Sequence, residues 1–230
     1  MLIWVLCILS GGWLSMSLTS CGKSTTGNAE LINIQYQVIN LSPDLYPVNL
    51  FINFNQVNTS PYIFDVPQGY FYVPSVDTPF QIRSALNSGT TLLHRDDILT
   101  PGAKYTLYLI GDYSLGTDTT LLTVDTAVSP PAGRGALRFV NVSPTAIGGL
   151  DVYANGTRAF SSLVYKQVSK YISLPAGNYD LQIDATGTTT ILNEQPAVTI
   201  QNGRLYTLYA YGYTSRADSA AFATQVTTNK

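Results

Sequence analysis

The chain has 230 residues, with 12 Lys and Arg against 14 Asp and Glu, a single His and a net charge of −2. That balance lacks the concentrated basic footprint nucleic-acid binding requires, so no nucleic acid is expected as a partner. The only cysteines are Cys7 and Cys21, which leaves the rest of the chain without a disulfide, a thiolate metal site or a cysteine nucleophile.

Residues 1 to 18 carry no charged side chain, and Leu2-Ile3-Trp4-Val5-Leu6 and Ile8-Leu9 are strongly apolar. Ser10, Gly11, Gly12 and Ser15 interrupt the run, and polar GKSTTGN begins straight after Cys21. A permanent span wants roughly 20 consecutive apolar residues flanked by Lys or Arg, so a cleaved export signal over residues 1–20 fits better. Leu18-Thr19-Ser20-Cys21 resembles the bacterial lipobox. The resemblance implies that Cys21 becomes the first mature residue, with diacylglycerol on its thiol and a fatty acyl group such as palmitate on its new amino terminus. Several acyl chains on one residue anchor stably to membrane lipid, where a single chain holds weakly. The leader departs from such signals in having no Lys or Arg, and an ordinary secreted protein and an uncleaved anchor are the alternatives. Gly22, Lys23 and Ser24 lack both an Asp directly after the cysteine and an acidic run. Outer-membrane anchoring is therefore expected, on an undecided side.

Residues 21–30 read as the lipidated Cys and a flexible tether. Beyond them the chain repeats itself. QVINLSPDLYPVNLFIN (37–53) corresponds to RFVNVSPTAIGGLDVYAN (138–155), VPSVDTPFQI (73–82) to LPAGNYDLQI (174–183), and PGAKYTLYLIG (101–111) to QNGRLYTLYAYG (201–212). Ser42-Pro43 and Ser143-Pro144 stand 101 residues apart, and one inserted loop residue moves the offset to 102 at Asn53 and Asn155. Two homologous domains follow, 31–129 and 136–230, joined by a short Pro- and Gly-rich linker at 130–135.

In the first domain, alternation and turn residues predict strands near 32–41, 47–54, 60–65, 69–74, 79–85, 90–93, 104–111 and 119–125. In the second they predict 137–142, 149–154, 168–174, 178–185, 188–193, 197–200, 204–212 and 220–227. Asn155-Gly156 is a strong hairpin pair. The stretch Asp96-Asp97-Ile98-Leu99 suits one helical turn. Many short strands with such turns make an all-β fold of two tandem antiparallel sandwiches.

The elements NVSP, LDVYANG, VSKYISLPAGNYDLQI and GRLYTLYAYG resemble the DUF4397 family of exported bacterial proteins, over about 132–228. The first half departs from the pattern, with Asn49-Leu50-Phe51-Ile52-Asn53 in place of Asp-Val-Tyr-x-Asn and Ser75-Val76-Asp77 where Ala-Gly is usual. The resemblance implies an immunoglobulin-like β fold and lipoproteins of the Bacteroidota type. It supplies no catalytic residue.

Chemistry is sparse. His94 sits in HRDD with no compact cluster of further ligands, and reads as part of a charged loop. Glu194 is the only glutamate beyond the tether, so a paired-carboxylate site has little to draw on. A small calcium site between the Ser-Pro turns and Asp151 would want six to eight oxygens, and no dense Asp-x-Asp loop exists. No metal and no cofactor is expected. Candidate ligand-contact aromatics are Tyr153, Tyr209 and Tyr211, which alternation puts on outer sheet faces; the alternative is that they cover a sheet or an interface between domains. Asp125-Thr126-Ala127 and Asp218-Ser219-Ala220 resemble a short O-glycan acceptor motif, making Thr126 and Ser219 candidate modification sites. The expected function is non-catalytic display of two domains on the envelope for binding, adhesion or assembly, with a protein or glycan ligand. A carbohydrate-binding module and a periplasmic structural lipoprotein are the alternatives.

Overall fold

The computed structural model describes residues 33–73 and 79–229; the signal segment, Cys21, the tether and the 75–77 departure lie outside the described residues. The first half contributes β1 (Ile34–Asn40), β2 (Val48–Ile52), β3 (Asn55–Gln56), β4 (Phe71–Val73), β5 (Phe80–Ser84), β6 (Thr91–Arg95), β7 (Lys104–Ile110) and β8 (Thr119–Val124). The second contributes β9 (Arg134–Asn141), β10 (Leu150–Ala154), β11 (Thr157–Leu163), β12 (Ile172–Pro175), β13 (Gly177–Ala185), β14 (Ile191–Ile200), β15 (Leu205–Tyr211) and β16 (Ala223–Thr228). No helix occurs among the described residues.

Each half is a two-sheet sandwich with the same wiring. The first pairs an inner sheet, β4-β1-β7-β8, with an outer sheet, β3-β2-β5-β6; the second pairs β12-β9-β15-β16 with β11-β10-β13-β14. One core fills each sandwich: Tyr36, Leu50, Phe80 and Leu107 are in the first, and Phe139, Val152, Ile183 and Leu208 in the second. One strand pair per domain departs from the antiparallel expectation. β1 runs parallel to β7, with Gln35 opposite Lys104, and β9 runs parallel to β15. The chain passes through the outer sheet between the members of each pair, so no hairpin forces them antiparallel.

Several strand expectations need correction. β11 was not foreseen, because shifts in its pairing with β10 break the alternation on which strand reading depends. β14 is one strand where two were expected. Pro196 lies on this edge strand, where a missing N–H costs least, and Ala197 takes up a positive φ of 56° beside a pairing shift. The expected strand at 60–65 shrinks to single bridges at Tyr62 and Phe64, bounded by Pro61 and by Asp65 at φ 56°. Residues 96–99 form no helical turn: Arg95 pairs with Asp97, and Leu99 reaches into the first core.

The repeated Asn-x-Ser-Pro element is a turn, and both copies are built alike. The Asn40 side chain accepts from the Ser42 N–H at 3.1 Å, and Asn141 accepts from the Ser143 N–H at 3.0 Å. The repeated glycine after β7 and β15 is needed for close approach. A Cβ on Gly111 would meet the Thr117 carbonyl oxygen at 2.3 Å, and one on Gly212 the Ala221 carbonyl oxygen at 2.2 Å.

Candidate functional site

Alternation along the inner strands sends one set of side chains into each sandwich and the other set outward. In β7 the inward set is Tyr105, Leu107 and Leu109, and the outward set Lys104, Thr106, Tyr108 and Ile110. The outward set is buried as well, because the two inner sheets pack on one another. Ile39, Leu41, Tyr108 and Ile110 meet Val140, Val142, Tyr209 and Tyr211 in a third apolar cluster. Both sandwiches accordingly belong to a single compact unit.

Tyr209 and Tyr211 therefore lie in this seam, not on a free outer face. Tyr209 is fully buried, its ring centroid 5.5 Å from that of Tyr108, and its hydroxyl donates to the Gln225 side-chain Oε1. Burial pushes both phenols well above their ordinary range, and for Tyr211 the Asp65 carboxylate adds to the effect. The readable signal was apolar and aromatic residues on both faces of YTLYLI and LYTLYAY, as in strands covered on two sides.

At its other end the seam is polar and nearly dyad-symmetric. Asp125, just after β8, is fully buried and accepts from Thr106 Oγ1 (2.6 Å), Tyr70 OH (2.7 Å), Thr123 Oγ1 (2.8 Å) and the Arg138 guanidinium. Arg138 also donates to the Val124 carbonyl (2.7 Å) and Thr207 Oγ1 (2.8 Å). Asn229 follows β16 as Asp125 follows β8. It accepts from Thr207 Oγ1 at 2.7 Å and donates to Tyr70 OH at 2.7 Å, while Lys104 Nζ donates to its carbonyl at 3.0 Å. Burial, and then the Asp125 charge, raise the Tyr70 phenol far above its usual range. Every donor here has a partner within the protein, so the cluster reads as a pin between domains.

The seam also sets direction. The polar pin joins the starts of β7 and β15, and the apolar cluster joins their ends. The two strands run the same way, so loops 41–47, 85–90 and 111–118 share one end with 142–149, 186–190 and 212–222. That end lies opposite the start of β1. It carries exposed apolar tips at Tyr46, Leu86, Leu115 and Ile147, the last 76% exposed. Asp44 braces it, accepting N–H bonds from Tyr113 (2.8 Å) and Ser114 (2.6 Å).

Tyr153 alone of the candidate aromatics stays partly exposed, on the solvent face of the second outer sheet. Its strand neighbours are Arg158 on β11 and Gln182 on β13, and Gln182 faces Glu194 on β14. Folding also sets Asp151 opposite Asp184. Both carboxylates are buried and engaged: Asp151 accepts from the Ser162 N–H (2.7 Å) and Thr186 Oγ1 (3.0 Å), and Asp184 from Gln182 Nε2 (2.8 Å). Asp151 is thus tied into its own sheet and not to the Ser-Pro turns.

Thr126 and Ser219 are both exposed; the Thr126 hydroxyl accepts from the Lys104 N–H at 2.7 Å. His94 lies on β6, not in a loop, half-exposed with Nε2 3.3 Å from Asp96. Among the described residues no group of three His, Cys, Asp or Glu side chains is arranged to hold a metal ion.

No curated protein matches the chain. The family model described as a domain of unknown function, DUF4397, matches it twice, over residues 35–148 and 146–230. The chain therefore belongs to the DUF4397 family and carries two copies of its domain.

Proposed function

We propose that this protein is a non-catalytic, lipid-anchored component of the outer membrane that presents two fused β-sandwiches for binding, adhesion or assembly. The directional seam carries the reading. With both domains running the same way, six loops gather at one end, four of them with exposed apolar tips, and the chain enters β1 at the other. A tether attached at the entry end leaves the loop end and the outer sheet faces free to meet a ligand. Anchoring rests on the lipobox resemblance at Leu18-Thr19-Ser20-Cys21.

Intact mass of the protein extracted from membranes, paired with protease shaving of whole cells, tests the reading. The expected mass is that of residues 21–230 plus acyl chains, with the domains lost on shaving. An unlipidated, soluble product overturns the anchor. A lipidated product fully protected from protease overturns surface display and leaves a periplasmic structural role.

A further inference from the structure

The two copies of the domain differ sharply at one place on the outer sheets. In the second copy, Arg158, Tyr153, Gln182 and Glu194 form a row across four strands, β11, β10, β13 and β14. Neighbouring strands lie about 4.8 Å apart, so the row spans roughly 14 Å. In the first copy the same row reads Gln56, Phe51, Gln81 and His94. There the aromatic ring is capped. The Arg83 guanidinium sits 4.2 Å from the Phe51 centroid and Arg83 Nη2 donates to Gln81, leaving Phe51 only 8% exposed. The counterpart of Arg83 is Asp184, opposite Asp151 as Arg83 is opposite Asn49. A carboxylate cannot cap a ring; Asp184 instead takes both hydrogen bonds from Gln182 Nε2, at 2.8 and 3.1 Å. Tyr153 is left uncapped and partly exposed, and the Gln182 side-chain Oε1 is left as an acceptor.

The row's ends make no hydrogen bonds either, although Arg158 reaches Asp151 as a long ion pair. Arg158 comes no nearer than 3.9 Å to Asp151, and among the described residues neither its guanidinium, the Tyr153 hydroxyl nor the Glu194 carboxylate makes a hydrogen bond. Beyond Gln182 the face dips into a hollow of about 290 Å³ walled by Asn155, Asp180, Glu194 and Pro196. One uncapped aromatic with carboxylate, amide and guanidinium groups along a shallow groove suits a ring with an apolar C–H face and a rim of hydroxyls. Asp180, Glu194, Asp151 and Asp184 outnumber Arg158, so the local field repels polyanions.

We propose that this face of the second domain binds neutral oligosaccharides, with Tyr153 as the stacking platform and Arg158, Gln182 and Glu194 as hydrogen-bonding arms. The proposal deepens the display reading by naming a ligand class, and rests on that reading only for access to the glycan.

The test uses full-length protein in lauryldimethylamine oxide, a sugar-free detergent, on an array of neutral and uronic-acid oligosaccharides, followed by calorimetry with the best-bound neutral one. Neutral glycans are expected to be retained and uronic-acid polymers not. Tyr153→Ala should weaken binding about tenfold or more, and Tyr153→Phe should largely preserve it. Phe51→Ala in the first domain should leave binding unchanged, with circular dichroism confirming that each variant is folded. No retained neutral glycan, a preference for uronic acids, or undiminished binding by folded Tyr153→Ala would overturn the proposal. Binding is read on purified protein, so its failure and the failure of anchoring on cells are separate results.

Discussion

Asp125 and Arg138 take two charges out of water, a step that costs several kcal/mol per ion unless geometry and extra hydrogen bonds offset it. Here they do: three hydroxyls and the guanidinium satisfy the carboxylate, and Thr207, Thr123 and a backbone carbonyl satisfy the rest of Arg138. Asp125→Ala leaves the guanidinium buried without its partner and should lower stability by about 3–5 kcal/mol in urea unfolding. Replacing both partners, as Asp125→Leu with Arg138→Met, should cost far less. A single variant no less stable than the double would mean that this ion pair does not pin the domains.

Asp44 gives the loop end a pH dependence. Partial burial raises its pKa, but the N–H groups of Ser114 and Tyr113, with side-chain contacts from Asp112 and Ser114, outweigh that and lower it to about 2. A depressed carboxylate stabilises the fold above its ordinary pKa, 3.8, and that contribution fades as pH falls through about 2. The amide resonances of Tyr113 and Ser114 should titrate with a midpoint near 2, a step absent in Asp44→Asn. A midpoint at the ordinary value would mean that these bonds do not form.

Among the elements, the entry ends of the two sandwiches are filled differently. Ile52, Val57 and Phe71 pack into the first core, with Tyr36 stacked on Phe80 at 5.5 Å. Their counterparts are Ala154, Ala159 and Ile172, with Leu137 opposite Ile172 and Leu181 opposite Ala154. The smaller set leaves a cleft of about 350 Å³, lined also by Leu174 and Tyr179. Ala154→Ile with Ala159→Val, restoring the first domain's residues, should raise stability by about 1 kcal/mol, read as a higher urea midpoint. A lower midpoint would show that the cleft's walls cannot accept the added methyl groups.

The repeat that makes this comparison possible was fully legible in the sequence, as were most strands, the hairpin at Asn155-Gly156 and the all-β class. What escaped was whatever breaks local period. β11 and β14 carry pairing shifts, and the 60–65 segment is held by isolated bridges. Long-range placement escaped as well. Tyr153, Tyr209 and Tyr211 all sit on outward positions by alternation, and no local signal tells a face covered by another domain from one facing water. The row joining Arg158 to Glu194 depends on the pairing of four strands and was invisible for the same reason.

At the scale of the molecule, three cores lie in succession: one inside each sandwich and one between them. The middle core, with Ile110 and Tyr211 toward the loop end and the Asp125–Arg138 pin at the other, makes two copies of a domain into a unit with one loop end and two outer faces. The proposed display of a recognition face at a fixed orientation would depend on that union. The most direct test is calorimetric unfolding of the whole protein alongside Asp125→Ala. One transition is expected for the wild type, with calorimetric and van't Hoff enthalpies equal, splitting or shifting down when the pin is removed. Two separate transitions in the wild type, unmoved by Asp125→Ala, would contradict it.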